Sequence, residues 1–324
     1  MKNKIESPFT DGYAYVKQAF KTVKFREEDF IIWERYYVCE DTKEEFDTIE
    51  TGTLNIDQVY NQYRAKYNYL FPEQIKTMRK NYGLNATQMS KILGLGVNMI
   101  RNYEMGEMPS MSNAVLLKLI RNPENFRTQF LHRYETYGIS EKKKNEVLKN
   151  IENLKNKQHD SCLPLVEVPN EYTGYQLPDF EKLSHMLLFF LSKDDSMFKI
   201  KLNTCLFFAD FQNFKETGKS ISGTQYQTLR KAFLPVKHLH IYAAMVDHGY
   251  LEITTRLSKE FNQEIEKLQP AKAFNKSIFS EKELNSLKYV SDNINKINLK
   301  EKLAGTIKSD DTRLSYQKHA FYLE

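Results

Sequence analysis

Asn98, Arg101 and Asn102 fall at i, i+3 and i+4, the spacing that gathers side chains on one face of a helix. Arg takes guanine at O6 and N7 and Asn takes adenine at N6 and N7, so the trio suits reading of base edges in a major groove. Thr87 and Gln88 open the preceding helical segment, where side-chain and backbone donors together suit a phosphate. The other candidates are weaker. Cys39 has no cysteine or histidine close in sequence. His238-x-His240, followed by Asp247-His248, sits at the start of a helical segment, where residues two apart diverge instead of chelating. Neither a nucleotide-binding glycine loop nor a Gly-x-Ser-x-Gly nucleophile turn occurs. These residues point to a non-enzymatic binder of double-stranded DNA, with no catalytic residue, metal or cofactor.

A base-reading trio works only if neighbouring helices aim it. Phe71, Ile75, Met78 and Tyr82 mark one face of a first helix, which stops at Gly83. Asn85 is a good N-cap for a second, with Met89, Ile92 and Leu93 inward. Gly94-Leu95-Gly96 makes a tight turn into a third helix, Val97 to Met105, with Val97 and Ile100 expected in the core. Asn113 to Ile120 forms a fourth, whose apolar residues are Val115, Leu116 and Leu119, and Pro123 lies beyond it. A helix crossing the backbone, a short turn and a helix for the groove are the requirements of a helix-turn-helix. Charge agrees: Lys and Arg exceed Asp and Glu by five over residues 65–135, whereas residues 1–64 carry an acidic excess of four.

The flanks complete a mainly α chain. Scarce Gly (12) and Pro (9) beside 20 Tyr and 21 Phe favour helices over a turn-rich β fold. Residues 1–64 read as a small β-rich N-terminal module with an aromatic core around Trp33, Tyr36 and Tyr37, leading into a helix from Leu54. Residues 65–135 form a four-to-five-helix DNA-binding domain. Residues 136–178 are a lysine-rich helix and a linker holding Pro164, Pro169 and Pro178. Residues 179–324 are a mostly helical domain with a few short strands, in which Tyr226–Val236 is extended, Phe207, Phe208, Phe211 and Phe214 are core, and Ser309–Tyr322 is a closing helix. Cys39, Cys162 and Cys205 suggest no disulfide framework and hence a reducing compartment. Met186–Leu191 is far too short to span a bilayer, and the expected setting is cytoplasmic.

Two resemblances extend this reading. Leu93-Gly94, Gly96-Val97-Asn98, Tyr103-Glu104-x-Gly106, Pro109, Leu116-x-x-Leu119 and Asn122-Pro123 resemble the Xre/Cro-like helix-turn-helix of MqsA-type antitoxins. The likeness implies that Asn98 and an Arg four residues later read bases; here Asn102 takes that later position and the arginine is Arg101. The usual Gln near the start of the second helix is Ala86. Glu104 is expected to pair with Arg79. MqsA-type antitoxins begin with a zinc knuckle, but the matching stretches are Ser7-Pro8-Phe9-Thr10 and Cys39-Glu40-Asp41-Thr42, so the module looks like a degenerate knuckle.

Leu206-Phe207-Phe208-Ala209-Asp210-Phe211, Gly218-x-x-Ile221-x-Gly223-x-x-Tyr226, Leu234-Pro235-Val236 and Gly249-Tyr250-Leu251 are similar to the Panacea domain of SocA-like antitoxins, over about residues 178–322. Phe233-Leu234-Pro235 departs from the Tyr-Gly-Pro common there. Together the resemblances imply an antitoxin of a type II pair that neutralises a cognate protein toxin, and that represses its own operon as a homodimer on operator DNA. The alternative is a helix-turn-helix regulator with a ligand- or protein-sensing C-terminal domain.

Overall fold

The computed structural model describes residues 3–156, 168–194, 197–229, 232–258, 263–296 and 313–319. They form two compact units, Met1–Gln58 with Ser161–Glu324, and Val59–Asp160. The chain is mainly α. Of the proline-bearing segment expected as a linker, residues 158–178, the part 158–167 lies outside the described residues, and the part 168–178, with Pro169 and Pro178, contains turns.

The first unit opens on an antiparallel meander in the order β1 (Lys4–Glu6), β2 (Tyr13–Phe25), β3 (Glu28–Cys39) and β4 (Glu45–Phe46). Where the sequence suggests several short strands, β2 and β3 form one long hairpin, in unbroken register from Ala14↔Cys39 to Phe25↔Glu28. Arg26 and Glu27 make its turn, both at positive φ (48° and 66°). That geometry matches the twist of the flanking strands but normally selects Asn-Gly. The buried residues change face along β3, from Phe30 and Ile32 to Arg35, Tyr37 and Cys39, as a strongly twisted ribbon allows. The expected aromatic core is therefore corrected: Tyr37 is buried, but Trp33 and Tyr36 are only half-buried.

Helix α1 (Ile49–Tyr67) begins before Leu54 because Thr48 and Thr51 cap it reciprocally. Each hydroxyl accepts the other's backbone N–H, at 3.2 and 2.8 Å, and Thr51 Oγ1 donates to Asp47. Two amides on α1 then close the open edge of β3. Asn55 accepts from Arg35 N (2.9 Å) and donates to Arg35 O (2.8 Å), and Gln58 does the same for Trp33, both at 3.0 Å. A free strand edge is thereby satisfied without another strand.

In the same unit, α8 (Phe180–Lys193) and α9 (Lys199–Thr217) are buried along most of their length. Beside them lie β5 (Tyr226–Leu229), β6 (Ala232–Pro235), α10 (His238–Asp247), the hairpin β7 (Leu251–Ser258) and β8 (Gln263–Pro270), and α11 (Glu281–Asn293). Strand β9 (Arg313–Leu314) completes an antiparallel sheet in the order β6-β5-β9. Where one closing helix was expected over Ser309–Tyr322, the described part holds β9 and a single helical turn, Tyr316–His319. Phe207 stacks on Phe233 at 4.1 Å and Phe211 on Tyr316 at 4.1 Å, so the Phe207–Phe214 stripe is core. Arg35 of β3 ends in this half of the unit, 3.3 Å from Glu216 and bonded to the Lys215 carbonyl.

The second unit is helical: α2 (Pro72–Asn81), α3 (Ala86–Ile92), α4 (Met99–Glu104), α5 (Met111–Leu119), α6 (Pro123–Arg133) and α7 (Glu141–Asn156). Ile75, Met78, Tyr82, Met89, Ile92 and Leu93 pack inward as their spacing predicts, joined by Phe126 and Phe130 of α6 and by Val147 and Ile151 of α7. Two expectations are corrected. Val97 is 54% exposed, because α4 starts at Met99 and leaves it in the turn. On α5 the inward residues are Ala114 and Leu117, and Val115 and Leu119 face outward.

Phe126 is fully buried and stacks on Tyr82 at 3.8 Å. Phe126→Ala is expected to lower the stability of this unit by ~3–5 kcal/mol, and Phe126→Leu, which refills most of the space, by ~1 kcal/mol. Urea unfolding followed by circular dichroism measures both, and equal losses would mean the ring is not packed as described.

Candidate functional site

Helix α4 is short, so its direction depends on what grips it. At its C-terminal end Glu104 forms a two-toothed ion pair with Arg79 of α2, Nε to Oε1 at 2.5 Å and Nη2 to Oε2 at 2.9 Å. The third Arg79 nitrogen donates to the Leu84 carbonyl (2.8 Å), so one guanidinium ties α2, the α2–α3 turn and α4 together. Arg64, itself buried, donates to the Gly106 carbonyl at 2.6 Å. At the other end Ser90 of α3 accepts the Ile100 N–H at 3.1 Å. Gly94 makes the turn before it at φ +71°, where a Cβ would also lie 2.2 Å from Arg133 Nη1. Tyr103 accepts from Asn113 at 2.7 Å, which fixes α5 to α4.

So held, α4 presents Asn98 and Arg101 to solvent, with Asn102 half-buried beside them. None of the three side chains bonds another described residue. Thr87 is exposed on α3. Gln88 is partly engaged: its amide oxygen accepts Asn85 N (3.0 Å), Asn85 Oδ1 accepts Gln88 N (2.8 Å), and its amide nitrogen is left to donate. The Asn98–Asn102 and Thr87–Gln88 positions thus lie on the two helices joined by the Gly94 turn.

The other unit holds a second arrangement, centred on a carboxylate that sequence reasoning did not single out as functional. Asp210 of α9 is fully buried. Its Oδ1 accepts the backbone N–H groups of Ile221 and Ser222, both at 2.8 Å; its Oδ2 accepts Ser222 Oγ (2.5 Å) and Tyr226 OH (2.7 Å). Burial raises the Asp210 carboxyl to about 6, and these four donors oppose the rise. The loop bound this way runs from Gly218 to Thr224. Gly223 lies there at φ +68°, where a Cβ would fall 2.4 Å from the Leu177 carbonyl, so only glycine fits. Tyr316 OH reaches the Thr224 carbonyl at 2.8 Å. Gln212 and Glu216 of α9 line a cleft with Lys282, Asn285, Ser286 and Tyr289 of α11.

Four positions of the N-terminal module also converge. Ser7 Oγ donates to Cys39 Sγ at 3.1 Å, Thr42 N at 3.5 Å, and Thr10 Oγ1 lies at 3.8 Å. Hydrogen bonds from Ser7 and then from Thr42 bring the thiol down to about 6, against the effect of burial. Zinc does not fit this set. Structural zinc wants four thiolate or imidazole ligands, whereas here one thiol faces three alcohols. Among the described residues no three His, Cys, Asp or Glu gather as a metal group, and no helix is long and apolar enough to cross a membrane.

Residues 202–303 match a family model described as "Antitoxin SocA-like, Panacea domain". Neither the curated proteins nor the solved structures give a match. The C-terminal part of the chain thus carries a Panacea/SocA-like antitoxin domain, and Asp210, Ser222, Gly223 and Tyr226 lie inside it.

Three variants test these arrangements. Asp210→Ala leaves four buried donors without an acceptor and should cost ~3–5 kcal/mol in denaturant unfolding. The Asp210 carboxyl rises on folding from 3.8 to about 6, so its contribution to stability is greatest below pH 4 and is lost as pH climbs through 6. Asp210→Asn should remove that slope, as stability measured between pH 4 and 7 will show; an unchanged slope would mean another group titrates. The combined variant S7C/T10C/T42C should take up one equivalent of zinc and gain thermal stability from it, whereas the unaltered chain takes up none. Failure of the variant to bind would mean the four positions do not share one tetrahedral centre.

Proposed function

We propose that this protein is the antitoxin of a type II toxin–antitoxin pair. Its C-terminal domain binds and neutralises a cognate protein toxin, and α2–α5 act as a helix-turn-helix by which it represses its own operon. The observation that carries the reading is the Panacea/SocA-like match over residues 202–303, a stretch that includes Asp210 and the loop bound to it. Neutralisation of a toxin needs no chemistry, only binding that covers its active surface or holds it in an inactive state.

The DNA-binding half rests on α4. Asn98, Arg101 and Asn102 are the residues assigned to base edges, and Thr87 and Gln88 those assigned to the phosphate backbone. Residues 65–135 supply the positive excess that phosphate neutralisation requires. The assigned setting is cytoplasmic, the assembly a homodimer on a two-fold operator, and no cofactor takes part.

Co-expression with the small protein encoded beside it is the decisive experiment. The full chain should restore growth that the partner alone arrests. No toxic neighbour, together with intact operator binding, would favour the regulator with a sensing domain. Binding to its own promoter should weaken steeply with salt. Arg101→Ala and Asn98→Ala should each cost ~1–3 kcal/mol on the specific site and relax preference at one base pair. Equal losses on specific and random duplexes in gel shifts would make these side chains phosphate contacts only.

A further inference from the structure

Over the Gly94 turn that follows α3 lies the guanidinium of Arg133, the last residue of α6. A Cβ at Gly94 would collide with Arg133 Nη1 and lie 3.2 Å from Cζ and 3.4 Å from Nη2, so the missing side chain is what admits the group. Arg133 is half-buried, yet its guanidinium bonds no other described residue.

The carboxylates around it are committed elsewhere. Glu104 of α4 is taken by Arg79, and Glu124 of α6 by Lys155. On α7, Glu141 pairs with Lys144, Glu146 with Lys143 and Glu152 with Lys155, while Glu135, between α6 and α7, accepts the Tyr134 hydroxyl. The arginines that hold this unit together behave differently: Arg79 and Arg64 both reach carbonyls, and Arg79 a carboxylate as well. Arg133 has a fixed seat and no acceptor. We propose that its acceptor is a DNA phosphate, so that α6, outside the helix-turn-helix itself, contacts the duplex backbone over the turn that leads into α4.

The inference rests on the DNA-binding reading proposed above and adds the second strand to it. The Thr87 and Gln88 side chains are assigned to phosphates, and Gly94 lies seven positions beyond Thr87, about 10 Å along a helix. The major groove is ~12 Å wide, with one backbone on each side. A helix laid across that opening has a phosphate strand at each end. Thr87 and Gln88 then meet one strand and Arg133 the other, with α4 aimed between them. A planar guanidinium offers a phosphate two parallel N–H donors, and its charge releases a condensed counterion. Its seat on Gly94 restricts the side chain before DNA arrives, so less freedom is lost on binding.

Gel shifts with the full chain test the proposal, on a duplex from its own promoter and on a random duplex of equal length, each over a range of salt. Arg133→Gln should weaken both complexes alike, about tenfold or more, as loss of a charged hydrogen bond does. It should also lower the slope of log affinity against log salt by about one. Arg133→Lys keeps the charge and should keep the slope, and both variants should keep the wild-type urea midpoint. An unchanged slope for R133Q would overturn the proposal. So would a loss confined to the promoter duplex, which would make Arg133 a base contact. A lowered midpoint with an unchanged slope would make it a cap on the carbonyls that end α3, and would overturn the proposal too. In each of these cases the wild-type chain still binds its promoter and the DNA-binding reading stands. A wild-type chain that binds neither duplex would remove that reading and the phosphate contact with it.

Discussion

A buried carboxylate is tolerated only where the fold supplies its partners, and Asp210 is bound by four donors within eighteen residues of chain. Two are backbone N–H groups of the loop that follows α9, one is a serine of that loop, and one is the tyrosine that opens β5. One side chain thereby fixes where α9 ends, how the chain reverses, and where the small sheet starts. The aromatic layer depends on the same arrangement, since Tyr226 and Tyr316 pack against Phe211 while their hydroxyls are held at Asp210 and Thr224. The motif residues Asp210, Ser222 and Tyr226 thus serve the architecture of the Panacea/SocA-like domain.

The second unit solves a different problem, the aiming of a helix of six residues. Packing alone gives such a helix little leverage. Arg79 and Arg64 grip its end through Glu104 and the Gly106 carbonyl, and Ser90 holds its start. Bonds at both ends define a direction where a short hydrophobic face would define only a contact. The side chains of Asn98, Arg101 and Asn102 take no part in these bonds.

Legibility from sequence followed how local each signal was. The helices around Ile75, Met89 and Ile100 declare themselves by period, and the Arg79–Glu104 pair follows once those helices are placed. The long N-terminal hairpin does not, because Arg26-Glu27 adopts a turn geometry that its residue types do not advertise, and because the buried face changes along β3. Helix α5 misled for the opposite reason: with apolar residues on both its inner and outer faces, it gives little from which to tell inward from outward. Asn55, Gln58 and Arg35 read as ordinary polar residues, and their roles at a strand edge and beside Glu216 arise only when distant segments meet. The Asp210 motif was visible as a pattern, but that its residues converge on one carboxylate was not.

The first unit is assembled from both ends of the described chain, with Val59–Asp160 set between its halves. Synthesis therefore delivers β3 long before the residues that receive Arg35. Glu216 lies 181 positions later, which at ~5–20 residues per second means about 10–40 s on the ribosome with that guanidinium still in water and the twisted hairpin incomplete. The intervening unit contains its own core and can close in that interval. A chain broken off between Asp160 and α9 would thus leave a folded helical unit beside a sheet whose Arg35 lacks its partners, a form that quality-control proteases are equipped to remove. The order in which the parts of the chain emerge thus becomes a check on its completeness.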